Sequence, residues 1–275
     1  MERNFLSIVD WLVSLISQLW LPVLVVAGWW WISAGSSSFY FPPLSEILGA
    51  LWTDLTDGPL IGYLGISLGN LAAGLAIAIA LGVAFGLLIG EVESLRQVTA
   101  PTLNFFRAVP PASIVPIVII ALGVGAAPKI FIIALGCFWP ILLNTIDGVR
   151  GTSPAVRETA RAYRIPAHLV IFRIALPAAM PQIMAGIRVA LAVGLVLMVI
   201  SEFVGADAGV GFYITEASTR FATRQAWAGT ILVGLLGYVL SGIFLRIERR
   251  VLAWYFRDTK LTGRRSGPAP RGRKE

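Results

Sequence analysis

Long apolar runs separated by polar connections constrain this chain more than any other feature. The runs are roughly Leu12 to Ala34, Ser67 to Gly90, Thr99 to Gly123, Ile130 to Ile146, Ile183 to Val204 and Trp227 to Leu245. A helix crossing a bilayer needs about 20 apolar residues. Six crossings, one sizeable loop and a tail therefore fit within 275 residues. The chain is 57% hydrophobic and 13% charged, where soluble domains average about 45–50% and about 25%. Mean hydropathy is +0.79. The expected fold is all-α and polytopic: six spans within a membrane domain over residues 1–257, and a basic, disordered tail over 258–275.

Tryptophans Trp29, Trp30 and Trp31 stand at one end of the first run, as at a membrane interface. The run is too long for a cleaved signal peptide. Residues 35–63 read as a loop holding Glu46, Asp54 and Asp57. One cysteine (Cys137) and one histidine (His168) exclude a disulfide scaffold and argue against a zinc site. No G-x-x-x-x-G-K-[ST] stretch is present, so the chain carries no P-loop for ATP.

The net charge of +7 reports orientation. Connections 35–66, 124–129 and 205–226 hold 3 lysines and arginines, the opposite set holds 18, and Arg188 stands inside a span. Basic connections stay in the cytoplasm, which places both termini there. The basic residues are not gathered on one soluble module, so nucleic acid is the poorer reading.

Within the spans, Gly74, Ala78, Gly82, Gly86 and Gly90 recur every four residues and share one helical face. Such a stripe lets another helix approach closely, and packing is a better reading than ligand contact. Pro110, Pro111 and Pro116 break the third span. Irregular backbone at membrane depth either lines a pathway or is buried in protein. Asn144 offers hydrogen bonds to a substrate or to a neighbouring helix. Arg188 is either a cation for an anionic substrate or a side chain reaching for the cytoplasmic surface. Glu202 either meets an external partner or bonds to backbone. His168 has no nucleophile or metal partner and is read as a surface residue.

The loop 148–177 is the most informative stretch. Ser153 and Pro154 form a helix start, N-cap then first-turn proline. Val156, Ala160 and Tyr163 fall on one face, Arg157, Arg161 and Arg164 on another, and Glu158 can pair with Arg161. Pro166 opens a second short helix whose stripe, Ile165, Leu169, Phe172 and Leu176, runs until Pro177 intervenes. Two helices this short do not fold alone. Their apolar face docks either on lipid headgroups or on a partner protein.

Glu158-Thr159-Ala160 followed by Ile174-Ala175-Leu176-Pro177 resembles the E-A-A–x3–G–x9–I-x-L-P signature of the membrane permease subunits of ATP-binding-cassette importers. Thr159 replaces an alanine of that pattern, and Arg164 stands where it has glycine. The segments FPPLSEILGALW, ISLGNLAAG, RAVPPASIVP, GVGAAPKIFIIALGCFWPILLNTIDGVR, EFVGADAGVGFYI and ERRVLAW are similar to the branch importing aliphatic sulfonates, taurine and nitrate. They extend the likeness over roughly residues 39–255.

The resemblance implies a non-enzymatic permease, without cofactor, metal or catalytic residues, in the bacterial inner membrane. It implies two ATPase subunits gripping Glu158, Ala160, Arg161, Arg164, Ile174, Leu176 and Pro177, and a second permease copy as partner. It also implies an extracytoplasmic solute-binding protein meeting the loops of Glu46, Asp54, Asp57 and Asp207. Pro110, Pro111, Asn144, Arg188 and Glu202 are the pathway candidates. The alternative is an ion-coupled transporter acting alone, which needs a titratable midplane relay; the spans offer only end-placed Asp147 and Glu202. An intramembrane enzyme ranks last, since the spans hold no His/Asp/Glu cluster.

Overall fold

A computed structural model describes residues 20–21 and 23–255, all of whose regular structure is helical. In chain order the helices are α1 (Val23–Ser33), α2 (Leu44–Thr56), α3 (Leu60–Glu91), α4 (Glu93–Arg107) and α5 (Val115–Leu122). They continue with α6 (Ala126–Arg150), α7 (Pro154–Ala162), α8 (Ala167–Leu169), α9 (Leu176–Phe203), α10 (Val210–Thr219) and α11 (Thr223–Val251). A 3-10 turn, Pro111–Ile114, precedes α5, and a π-helical turn, Val170–Ala175, joins α8 to α9.

Four helices, Leu60–Glu91, Ala126–Arg150, Ala167–Phe203 and Thr223–Val251, are long and apolar enough to cross a bilayer. Glu93–Arg107 with Pro111–Leu122, bent by 69°, makes a fifth candidate. The expected six spans are thus four or five among the described residues. Much of the first, and the whole tail 258–275, lies outside them.

The reading of 35–63 as loop is corrected by α2. Pro43 occupies its N-cap, and Leu44, Ile47 and Leu51 are buried on one face. Three apolar residues at i, i+3 and i+7 are a helical stripe; the turn-forming residues on either side of it read as loop.

The chain divides into two compact units. The first takes the chain up to Ile61 with Tyr213–Leu232. Leu44, Ile47, Leu60, Ala217 and Ala228 are among its buried residues, and Ser33 Oγ accepts the Leu44 N–H (3.1 Å). Trp227 packs edge-on against Trp29 and Phe41, and its Nε1 donates to the Tyr40 carbonyl (3.0 Å). The Tyr213 hydroxyl donates to Asp54. Burial first, and that neighbouring carboxylate second, push the phenol above its ordinary range.

The second unit takes Gly62–Phe212 and the chain from Val233. Its core gathers Leu71, Val115, Ile132, Ile141, Ala190, Met198 and Phe244. The small-residue stripe of α3 lies on α6. Side-chain carbons added at Gly74, Gly82, Gly86 and Gly90 would fall 2.7, 2.8, 2.5 and 2.8 Å from Ile133, Ile141, Thr145 and Val149. Ala78 on the same stripe is 1% exposed. The stripe is a packing surface, and it works because both helices present every fourth residue. α6 meets α9 as closely, Gly186 against Asn144 and Gly194 against Cys137.

Candidate functional site

The connection from α6 to α9 is built by local rules. Ser153 holds the N-cap position and Pro154 follows it, as expected, but the serine side chain makes no capping bond. The first turn is closed through the Ser153 carbonyl, which accepts the Val156 and Arg157 N–H groups (3.1 and 3.2 Å). At the other end the Ile165 N–H reaches back to the Ala160 carbonyl (3.0 Å) and the Arg164 N–H to Arg161 (2.9 Å). These are the two bonds of a Schellman cap, whose penultimate position needs left-handed backbone. Arg164 supplies it with φ +50°. The family's glycine position is thus filled by an arginine in the conformation glycine would adopt.

Beyond the turn the expectation of a second short helix ending at Pro177 is corrected. The helix that starts at Ala167 continues to Phe203. Pro177 has no N–H to give, and its ring crowds the preceding turn. The π turn Val170–Ala175 absorbs this, with the Leu176 N–H bonding five residues back to Ile171. The loop's second arm is therefore the end of a membrane helix.

The side chains divide by exposure. On α7 only Ala160 is buried (4%); Val156 (42%) and Tyr163 (78%) of the same predicted face are open. Glu158, Arg161 and Arg164 are exposed, and among the described residues Glu158 and Arg161 form no ion pair. Along the second arm Ile174 and Leu176 are half-buried and Pro177 is exposed, while Leu169 and Phe172 stay open. Arg157 turns inward instead. It bonds Glu91 at the end of α3 and the Val149 carbonyl near the end of α6.

The pathway candidates do not form one cluster. Pro110 and Pro111 sit at the 69° break between α4 and α5. Asn144 Nδ2 donates within its own helix to the Pro140 carbonyl (2.8 Å), at the contact with Gly186. Arg188 pairs with Glu248 on α11, a buried carboxylate. Glu202, fourteen residues and roughly 21 Å further along the same helix, is 1% exposed. Its carboxylate accepts the Ser67 hydroxyl (2.7 and 2.9 Å) and the Gly211 N–H (2.8 Å). Lys129, 4% exposed, reaches the Ala208 carbonyl nearby (3.3 Å).

Glu248, Ser67, Gly211 and Glu91 are partners that the sequence reading did not single out. Each lies more than a helix away along the chain from the residue it holds, or on another element, and no local spacing signals it. Of the acidic residues expected on the outer side, Glu46 pairs with Arg224 (2.7 Å) and Asp54 with Tyr213, while Asp57 and Asp207 are exposed. Among the described residues no three His, Cys, Asp or Glu side chains converge where a metal ion could sit.

Membrane-length helices and a two-armed polar loop, one arm continuous with a span, are the frame of a multi-pass membrane protein. The chain belongs to the family described as binding-protein-dependent transport system inner membrane component, which matches residues 78–253. It is 32% identical over 200 residues to the aliphatic sulfonates transport permease protein SsuC of Bacillus subtilis (strain 168), covering 73% of this chain and 72% of the relative. To the protein of the same description from Escherichia coli (strain K12) it is 30% identical over 246 residues, covering 89% and 93%. Its fold is similar to a chain of the MetNI methionine ABC transporter solved in an inward-facing conformation (17% identity, TM-score 0.58, 76% of this chain and 97% of that one).

Proposed function

We propose that this chain is the membrane-spanning permease of an ATP-driven importer for a small anion of the aliphatic sulfonate type. It performs no covalent chemistry. Two copies of it pair in the membrane, two separate ATPase subunits grip the loop 148–177 of each copy, and an extracytoplasmic binding protein delivers the solute. Both termini lie in the cytoplasm, on the side of the basic connections. The observation that carries the reading is the loop's construction. Val156, Tyr163, Leu169 and Phe172 are left open on a two-armed loop whose second arm is the stiff end of a 37-residue helix. Exposed apolar side chains on a polar loop call for a surface to cover them, which the ATPase supplies, and a continuous helix transmits its displacement to the bundle.

A push shifts a conformational equilibrium only if the contact differs between the two states. The exposed Glu158, Arg161 and Arg164 give the ATPase groups to hold in one state and release in the other. The sulfonate assignment is supported by the two permease relatives. Arg188 is engaged by Glu248, so it is not a free cation for the substrate in this conformation.

The test is reconstitution of the chain with its ATPase and binding protein in vesicles, followed by uptake of radiolabelled ethanesulfonate. Uptake that requires ATP and the binding protein is the expected result. Uptake driven by a proton gradient without ATP would overturn the reading in favour of a transporter acting alone.

A further inference from the structure

We propose that Arg157 is the positioning residue that fixes the loop helix α7 to the bundle, so that α7 and the inner ends of α3 and α6 move as one body. The proposal rests on the loop being the ATPase contact, and it deepens that reading by naming the joint through which force passes.

Three observations converge on this side chain. Its Nη1 donates to Glu91 Oε1 (3.1 Å) and its Nη2 to the Val149 carbonyl (2.7 Å). Glu91 is the last residue of α3, and Val149 is the penultimate residue of α6. One planar guanidinium therefore bridges three helices, its two terminal nitrogens held in a fixed fork that a lysine's freely rotating ammonium lacks. Both bonds are partly withdrawn from water, the Arg157 and Glu91 side chains being 25% and 22% exposed.

The electrostatics favour the arrangement. A helix C-terminus carries a partial negative charge, so Glu91 is poorly placed at the end of α3, whereas a cation is well placed at the end of α6. Arg157 answers both. The second oxygen of Glu91, Oε2, is buried without a hydrogen-bond partner. Removing the arginine thus leaves a shielded carboxylate with no compensation, which costs more than the pair itself contributes. The other arm of the loop needs no such joint, because Ala167–Phe203 is already continuous with the bundle. Among the described residues, Arg157 is the one α7 side chain that hydrogen-bonds to another helix; Thr159 bonds within its own.

The purified full-length chain reads the clamp by hydrogen exchange. In Arg157→Gln, the amides of residues 155–162 are expected to exchange about tenfold faster, the scale of one lost charge-assisted bond, while those of α3 and α6 keep their protection. Glu91→Gln combined with Arg157→Gln exchanges more slowly than Arg157→Gln alone, and the exchanged pair Glu91→Arg with Arg157→Glu recovers part of the protection. In the reconstituted complex, Arg157→Gln retains the bound ATPase and its hydrolysis but imports several-fold less ethanesulfonate per ATP, a ratio that loss of folded protein leaves unchanged. Unaltered exchange, or an unaltered ratio, would overturn the proposal. If the wild-type complex shows no ATP-dependent uptake, the proposed function falls, and the exchange measurement still decides the clamp.

Discussion

Arg164 shows how a single position can depart from a family pattern and keep its geometry. The Schellman cap at the end of α7 needs a left-handed residue, and Arg164 takes φ +50° with both closing bonds formed. A side chain in that region costs roughly 1–2 kcal/mol per residue; glycine avoids this but gives up more freedom on folding. The difference favours Arg164→Gly by about 0.5–1 kcal/mol. Exchange of the Ile165 amide, which closes the cap, is expected to slow about threefold in that variant. Faster exchange would mean that the exposed arginine side chain holds the turn through a contact that the backbone does not reveal. Glu202 makes the opposite point about residues. A carboxylate at the end of an apolar run suggested an external contact or a backbone bond. It is shut in by Ser67 and Gly211, and a side-chain carbon at Gly209 (φ +124°) would come within 2.4 Å of it. The glycines of that turn let the backbone close over the Glu202 carboxyl group.

Among elements, the contact of α3 with α6 was the most legible and is the most exposed to test. Four-residue spacing predicts a packing face from sequence alone, and the added carbon at Gly86 would lie 2.5 Å from Thr145 Cβ. Gly69 lies on the same helix but has nothing within 4 Å. Gly86→Ala is therefore expected to destabilise the detergent-solubilised protein by about 1–3 kcal/mol through overpacking. Gly69→Ala is expected to be neutral, or to stabilise by up to about 1 kcal/mol through helix propensity. Thermal unfolding of the two variants side by side separates them, and equal shifts would sink the packing account. What was not legible has physical causes as well. The α2 helix shows only one stripe of Leu44, Ile47 and Leu51 between turn-forming residues, so composition outweighed period. The end of the loop is not legible because a proline usually stops a helix, and nothing local announces that a π turn will carry the chain past it. Pairs such as Arg188 with Glu248 depend on which helices become neighbours, which periodicity does not specify.

At the scale of the whole molecule, length and charge turn the proposed orientation across a bilayer into a labelling prediction. The helix Ala167–Phe203 has 37 residues, or roughly 55 Å at 1.5 Å per residue, while the hydrocarbon core is about 30 Å thick. About 25 Å must project beyond the core, divided between its two ends. Arg173 and His168 lie in the leading part and no lysine or arginine lies between Val189 and Phe203. The proposed orientation therefore has the leading end leave the membrane on the basic side, taking α7 and its exposed side chains with it. Cys137, the sole cysteine of the chain, is buried, so introduced thiols can be read against a silent background. Tyr163→Cys and Asp207→Cys replace exposed residues on either side of this helix. With a membrane-impermeant maleimide, Asp207→Cys is expected to label on intact spheroplasts and Tyr163→Cys only on inverted vesicles. Labelling of both from one side would remove the helix from the list of spans. The reverse pattern would turn the molecule over, placing the two-armed loop where no intracellular ATPase could reach it.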